Sequence, residues 1–368
     1  MIQTKDLTSI LNKNKISFFT GVPDSVLKNF TANFDKFGKN KHIIAVNEGS
    51  AVSLGIGYHL SSKKMPCVYL QNSGLGNAIN PLSSIAHKKV YSVPMLLIIG
   101  WRGAKSKTDE PQHLTKGRIT PSLLKLLDIN FCILRKKEDL KKLDKLIKYS
   151  KNKHSPVACL IERGTLEKGK VESNKNSQNK KFEKRKDFIS EFLKHVPKNS
   201  KIISTTGYTS RELMQIREEK KLYKGKDFYM VGGMGHAAMV SLGVAMNTKN
   251  KIICLDGDGS LLMHLGSLRT FGYFGSTNLK HILLNNNSHE SVGDQPTTAL
   301  GINFKKLTQS LGYKNYYKLI KKNNYKSSLI KFFKSKGPSF LEVLISSGTF
   351  KKLRRPKNLM KIKKSFMK

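Results

Sequence analysis

Short apolar runs recur along the chain, each closed by turn residues and followed by a longer amphipathic or small-residue stretch. Runs of this kind, bounded by Gly, Pro, Asn and Ser, read as strands buried on both faces of a parallel sheet. They fall at residues 16–20, 42–46, 66–71, 93–100 and 157–161, and again at 201–204, 252–255, 282–284 and 339–344. Helical patterns occupy 6–14, 26–34, 123–132, 139–149, 188–195, 211–219 and 329–333, and the basic tail from Lys351 suits a surface helix. After Glu48, the small residues Ser50, Ala51, Ser53, Gly55 and Gly57 suit a helix lying close on a flat surface. The alternation predicts an α/β protein of two domains, residues 1–166 and 187–368, each a mostly parallel sheet flanked by helices. Residues 167–186, rich in Lys, Asn and Ser with little apolar content, read as the linker. No internal repeat is visible in the sequence, although the two halves share this alternation.

A chain of 368 residues is long enough for two substantial cores. Its formal charge of +42, from 67 Lys+Arg against 25 Asp+Glu, raises the possibility of a nucleic-acid-binding protein or an anionic membrane surface. The lysines are spread over the whole length and no nucleic-acid-binding motif accompanies them. They read as solvated faces, able to gather a small anionic substrate, with no specific nucleic acid as partner. Cys67, Cys132, Cys159 and Cys254 lie far apart in or beside apolar runs, without a CxxC. That pattern points to core packing in a reducing cytoplasm. The first residues do not form a signal peptide, and the longest apolar run, 94–99, is too short to span a membrane.

The candidate chemistry centres on Gly257-Asp258-Gly259-Ser260, after one apolar run, and Asn285-Asn286, after the next. Asp258 and Asn286 are 28 residues apart, about one strand–helix–strand crossover. Both then sit at strand C-termini, where open α/β sheets bind ligands. An Asp and an Asn amide suit Mg²⁺, which takes one or two protein oxygens and lets phosphates supply others. Gly259 permits close backbone approach, and the following helix start favours anions. Elsewhere Asp24 and Ser25 follow a strand and can cap the next helix, and Glu48 stands alone where a strand enters a close-packed helix.

The runs GVPDS (from Gly21), NEGSAV (from Asn47), YLQNSGLGNAINPL (from Tyr69), PMLLIIGWRG (from Pro94) and DEPQH (from Asp109) carry a resemblance through the first half. TTGYTSREL, VGGMGHA, LDGDGSLLMHLG and LLNNNSHESVGDQPT carry it through the second. Together they resemble the phosphonopyruvate decarboxylase family, a branch of the thiamine-diphosphate-dependent decarboxylases. The resemblance implies two thiamine-diphosphate-binding folds without a middle domain: a pyrimidine-binding domain, then a diphosphate-binding one. It implies thiamine diphosphate and Mg²⁺ as cofactors, a small anionic 2-oxo acid as substrate, and at least a homodimer with active sites shared between subunits. The expected reaction is decarboxylation of 3-phosphonopyruvate to phosphonoacetaldehyde in phosphonate synthesis, with 3-sulfopyruvate as the alternative substrate.

The same resemblance assigns roles. Glu48 matches the carboxylate that hydrogen-bonds the cofactor's pyrimidine N1′, Met234 the residue that holds the cofactor bent, and Gly232 a carbonyl acceptor for its amino group. Thr206, Gly207, Gly257, Asp258, Gly259, Ser260 and Asn286 complete the cofactor-binding set, with Asp258, Asn286 and the Ser288 carbonyl as metal ligands. Asp24 and His113 are implied for proton handling, and Ser25, Asn72, Ser73, Arg102, His289 and Glu290 for substrate binding. The family usually has Gly, Ala, Asp and Gly where this chain has Asn287, Ser288, Glu290 and Asp294.

Overall fold

The computed structural model describes residues 1–368 except 33, 35, 36, 39, 105–107, 168–181 and 321–323. Most of the expected linker lies outside the described residues. Contacts divide the chain into two units, Met1–Asn174 with Val292–Gln295, and Lys175–Ser291 with Pro296–Lys368.

The first unit runs α1 (Thr4–Lys13), β1 (Phe19–Gly21), α2 (Lys28–Thr31), β2 (His42–Ile44), α3 (Glu48–Ser62), β3 (Cys67–Gln71), α4 (Leu75–Ser84), β4 (Met95–Trp101), α5 (Pro111–Leu126), β5 (Asn130–Leu134), α6 (Leu140–Lys153) and β6 (Pro156–Glu162). Its six strands are all parallel, in the order β2-β1-β3-β4-β6-β5. Side chains alternate across the sheet as a strand period of two requires. On β4, Leu96 and Ile98 enter one core, while Met95, Leu97, Ile99 and Trp101 enter the other.

The second unit runs α7 (Arg185–His195), β7 (Lys201–Ser204), α8 (Tyr208–Lys220), β8 (Lys226–Tyr229), α9 (Ala237–Ala245), β9 (Ile252–Gly257), α10 (Asp258–Met263), α11 (Ser267–Phe274), β10 (Leu279–Asn285), α12 (Phe304–Ser310), β11 (Asn315–Leu319), α13 (Tyr325–Lys334), β12 (Ser339–Leu344) and α14 (Leu359–Met367). Its sheet, also all parallel, reads β8-β7-β9-β10-β12-β11. That is the first sheet's order repeated strand for strand. Each sheet reverses direction of assembly beside its first strand, between β1 and β3 and between β7 and β9. Such a switch point opens a crevice at the strand C-termini.

Three expectations change. Residues 123–132 are not one helix: α5 ends at Leu126, Asp128 turns left-handed at φ 55°, and β5 begins at Asn130. Strands β8 and β11 were not expected at all. The helix α7 starts at Arg185, inside the stretch expected to be linker, and Arg185 is buried. Among the described residues no helix is long and apolar enough to cross a membrane.

Candidate functional site

In the first unit the expected residues gather at the C-terminal ends of β1, β2, β3 and β4. Glu48 is the first residue of α3, after Asn47, whose side chain accepts from the Ser50 N–H at 2.8 Å. The Asn47 cap relieves Glu48 of capping its own helix. The Glu48 carboxylate is buried and accepts from Asn77 Nδ2 at 2.7 Å. Gly74 faces its other oxygen, and a Cβ there would lie 1.9 Å from Oε1.

Asp24 is fully buried and accepts from the Val26 and Leu27 N–H groups at 2.9 and 3.1 Å. These bonds hold the turn that leads into α2 and are not the helix cap expected from its position: α2 begins at Lys28, and its N-cap, Leu27, makes no side-chain bond. Gln71 Nε2 donates to its other oxygen at 2.6 Å, and Ser73 Oγ donates to Gln71 Oε1 at 2.8 Å. Burial raises the Asp24 pKa, opposed by Gln71, the two N–H groups and the charge of Arg102. A carboxyl so placed can carry a proton nearer neutral pH than a free one. Gln71, which connects Asp24 to Ser73, was not expected; its position at the last residue of β3 is the only signal that marks it.

Asn72 and Arg102 are tied to each other. Asn72 Nδ2 donates to the Arg102 carbonyl and to Thr120 Oγ1, each at 3.0 Å, and Asn72 Oδ1 accepts from the Arg102 N–H at 3.0 Å. The amide thus brackets the ends of β3 and β4. The Arg102 guanidinium forms a two-pronged pair with Asp109, through Nε at 2.7 Å and through Nη2. Burial opposes ionisation of Asp109, but Arg102 and the Glu110 and Gly103 N–H groups outweigh it and hold the carboxyl well below its usual range. Ser25 is exposed, and His113 is half-buried in the first turn of α5.

In the second unit one cleft opens at the C-termini of β7, β9 and β10. Thr206, Met234, Gly257, Asp258, Gly259, Ser260, Asn286, Ser288, His289 and Glu290 all line it. Gly207 and Gly232 flank it: Thr206 Oγ1 accepts from the Gly232 N–H at 3.2 Å. Both glycines are left-handed, at φ 90° and 82°, where an L side chain is disfavoured. Ser260 ties two loops together, pairing with Thr205 Oγ1 at 2.8 Å and accepting from the Gly235 N–H at 3.1 Å. Asp258 is buried and accepts from Thr297 Oγ1 at 2.6 Å. Burial raises its pKa to about 6 despite that bond. The two asparagines diverge. Asn285 donates into the sheet, to Glu342 at 3.1 Å, while Asn286 lines the cleft.

The loop after Asn286 is held from behind. Glu290 accepts from Asn286 Nδ2 at 3.2 Å, from the Gly348 N–H at 2.6 Å, and from Arg185 Nη2. Arg185 Nη1 also lies 3.5 Å from Glu212, a wholly buried carboxylate whose pKa burial raises. The His289 ring packs against Gly259, and burial lowers its pKa to about 4, leaving a neutral imidazole. Arg185, Thr205, Tyr208, Thr209 and Ser291 also line the cleft without having been expected there. Arg185 sat in a run of Lys and Asn that gave it no distinguishing pattern.

A buried acid, an amide and several hydroxyls around one cleft at a switch point make a site for a diphosphate-bearing cofactor. Residues 3–121 match the family model described as thiamine pyrophosphate enzyme, N-terminal TPP binding domain, and residues 205–343 match its C-terminal TPP binding domain. The donors lining the cleft fit that cofactor's diphosphate. The chain is 30% identical over 372 residues to the phosphonopyruvate decarboxylase of Streptomyces viridochromogenes, covering 97% of this chain and 92% of the relative. It belongs to the phosphonopyruvate decarboxylase family of thiamine pyrophosphate enzymes. The beta subunit of sulfopyruvate decarboxylase from Methanocaldococcus jannaschii is 36% identical over 132 residues, covering 36% of this chain and 68% of that subunit. The alpha subunit from the same organism is 34% identical over 140 residues, covering 38% and 79%.

Proposed function

We propose that this chain decarboxylates 3-phosphonopyruvate to phosphonoacetaldehyde and carbon dioxide, with thiamine diphosphate held through Mg²⁺. The observation that carries the reading is the cleft lined by Asp258, Asn286 and Ser288, in a chain similar over nearly its whole length to a phosphonopyruvate decarboxylase. A buried carboxylate of raised pKa favours a cation beside it, and a carboxylate, an amide and a carbonyl are hard oxygen donors suited to Mg²⁺. When bound, the cofactor supplies the sink for the electron pair left as carbon dioxide departs.

The remaining work belongs to this chain. Glu48 holds a proton at the pyrimidine N1′, and Asn77 and the space at Gly74 fix its carboxylate. Asp24 handles the proton that replaces carbon dioxide on carbon, with Gln71 orienting it and Ser73 at the outer end of that chain. Arg102 and Ser73 take the anionic end of the substrate, and the bond to Asp109 fixes the plane of the guanidinium. Ser25, Asn72 and His289 complete the proposed substrate surroundings, with Asn72 acting through the backbone it holds, and His113 shares the proton handling with Asp24. Glu290, bound on both oxygens, acts on the loop after Asn286 and not on substrate. The reading includes cytoplasmic self-assembly into at least a dimer.

The sulfopyruvate decarboxylase subunits among the relatives make 3-sulfopyruvate the competing substrate. Assays of the purified chain with phosphonopyruvate, sulfopyruvate and pyruvate, with and without thiamine diphosphate and Mg²⁺, separate the two. The highest kcat/KM is expected for phosphonopyruvate. Preference for sulfopyruvate would replace the substrate, and carbon dioxide release without added or retained cofactor would overturn the chemistry.

A further inference from the structure

We propose that Cys254, Asp256 and His281 form a buried site for a single zinc ion, behind the diphosphate motif and distinct from it. Cys254 and Asp256 are two apart on β9 and point to the same face of the sheet, and His281 stands opposite Cys254 in the register with β10. Their sulfur, oxygen and nitrogen atoms all lie within 4.8 Å of one another, and all three residues are buried.

The His281 imidazole is wholly inaccessible, and its Nε2 has no hydrogen-bond partner. An unpaired polar atom in a core is costly. Nε2 points toward Asp256 Oδ2 but stops at 3.6 Å, too far for a hydrogen bond. That distance is near the roughly 3.4 Å that separates two ligands of one tetrahedral zinc with bonds of about 2.0–2.1 Å.

The outer contacts fit as well. His281 Nδ1 pairs with the Tyr313 hydroxyl at 2.8 Å, which leaves Nε2 as the ligand atom. Asp256 Oδ1 accepts from the Gly257 N–H at 2.9 Å, which leaves Oδ2 facing the cluster. Metal-bound histidines and carboxylates are held by partners of this kind. A thiolate, a carboxylate and a neutral imidazole sum to two negative charges. A divalent ion leaves the cluster neutral, as a dry core requires. Thiolate with imidazole selects zinc over magnesium or calcium. With no solvent access for a substrate, the ion's role is structural, and a buried water would complete its four-coordinate shell. It joins β9 to β10, the two strands whose ends carry Asp258 and Asn286.

The test is metal analysis of the full chain, expressed with zinc and purified with Mg²⁺ and thiamine diphosphate. Close to one zinc per chain is expected, resistant to EDTA while the protein is folded and released in urea. Cys254→Ala and His281→Gln should each lose the zinc, while Asp258→Ala, which damages only the diphosphate site, should keep it. Wild-type protein without zinc would overturn the proposal, as would zinc that survives Cys254→Ala or leaves with Asp258→Ala. If both cluster variants fail to fold, wild-type protein refolded with and without zinc decides. A higher Tm with zinc supports the site, and equal Tm values refute it. None of these readings depends on turnover, so they stand or fall apart from the proposed decarboxylation.

Discussion

Glu48 occupies the space that a side chain at Gly74 would fill: a Cβ added there would lie 1.9 Å from Oε1. Gly74 has φ −89° and ψ −5°, a conformation alanine adopts without strain. The clash falls on the buried Glu48 side chain from Oε1 back to Cγ, which would lie 2.6 Å from the added Cβ, and not on backbone. Gly74→Ala should therefore destabilise the fold by about 1–3 kcal/mol, the usual cost of overpacking an interior site. It should also push the carboxylate out of place and lower kcat on the order of 10²-fold, as removal of a positioned acid–base group does. Urea unfolding and steady-state kinetics on the same sample check both. Wild-type turnover in the variant would show that Glu48 is not the activating carboxylate.

Arg185 ion-pairs with both Glu212, which is wholly buried, and Glu290, which is half-buried. Arg185→Met should destabilise the apo-protein by about 3–5 kcal/mol, because it strands charges in the interior. Glu290 also holds the Asn286 amide, so Mg²⁺ affinity should fall by about 10–100-fold, as for other residues that orient metal ligands. Mg²⁺ titration at fixed cofactor, with Glu290→Gln alongside, separates loss of the loop contact from loss of charge balance.

Asn287 and Asp294, where the resemblance leads to an expectation of glycine, are both left-handed, at φ 56° and 65°. The chain keeps the glycine-type backbone with the two residue types that tolerate it best after glycine. Asn287→Gly should be neutral or stabilising by up to about 1 kcal/mol, and Asn287→Val should cost about 1–2 kcal/mol. Denaturant midpoints for the pair give the sign. Destabilisation by glycine would mean the Asn side chain contributes more than the backbone conformation costs.

Lys280 is buried, with its ammonium donating to the Ser335 carbonyl at 2.6 Å, Ser335 Oγ at 2.9 Å and Ser339 Oγ at 3.1 Å. Burial lowers its pKa from 10.5 to about 7, and the charge of Lys251 adds to the shift. Above pH 7 the folded state therefore releases this proton while the unfolded state keeps it. Stability should rise with pH between about 7 and 10.5, by at most about 1.4 kcal/mol per pH unit from this group. Lys280→Met should flatten the rise, measured as urea midpoints at pH 7 and 9.

What the sequence made legible follows burial. The inner strands β3, β4, β6, β9, β10 and β12 are buried on both faces and largely apolar, so their runs stand out. The strands that went unrecognised, β5, β8 and β11, are three of the four sheet edges. Each is half exposed and mixes polar with apolar residues, as in Lys226–Tyr229 and Asn315–Leu319. The site divides along the same line. Asp258 and Asn286 were legible because glycines and turn residues mark the ends of apolar runs. Gln71 and Arg185 were not, because their roles arise from partners far away in the chain or from a segment without pattern. The spatial meeting of Cys254 with His281 depends on strand register, which spacing along the chain does not disclose.

The repeated strand order has a practical consequence. Each sheet is wrapped by its own pair of cores, and none of the four clusters draws residues from both units. A polypeptide organised this way is divisible: severed within residues 168–181 and co-expressed as two fragments, each piece carries every strand and core residue its own sheet requires, and only Val292–Gln295 of the first unit travel with the second.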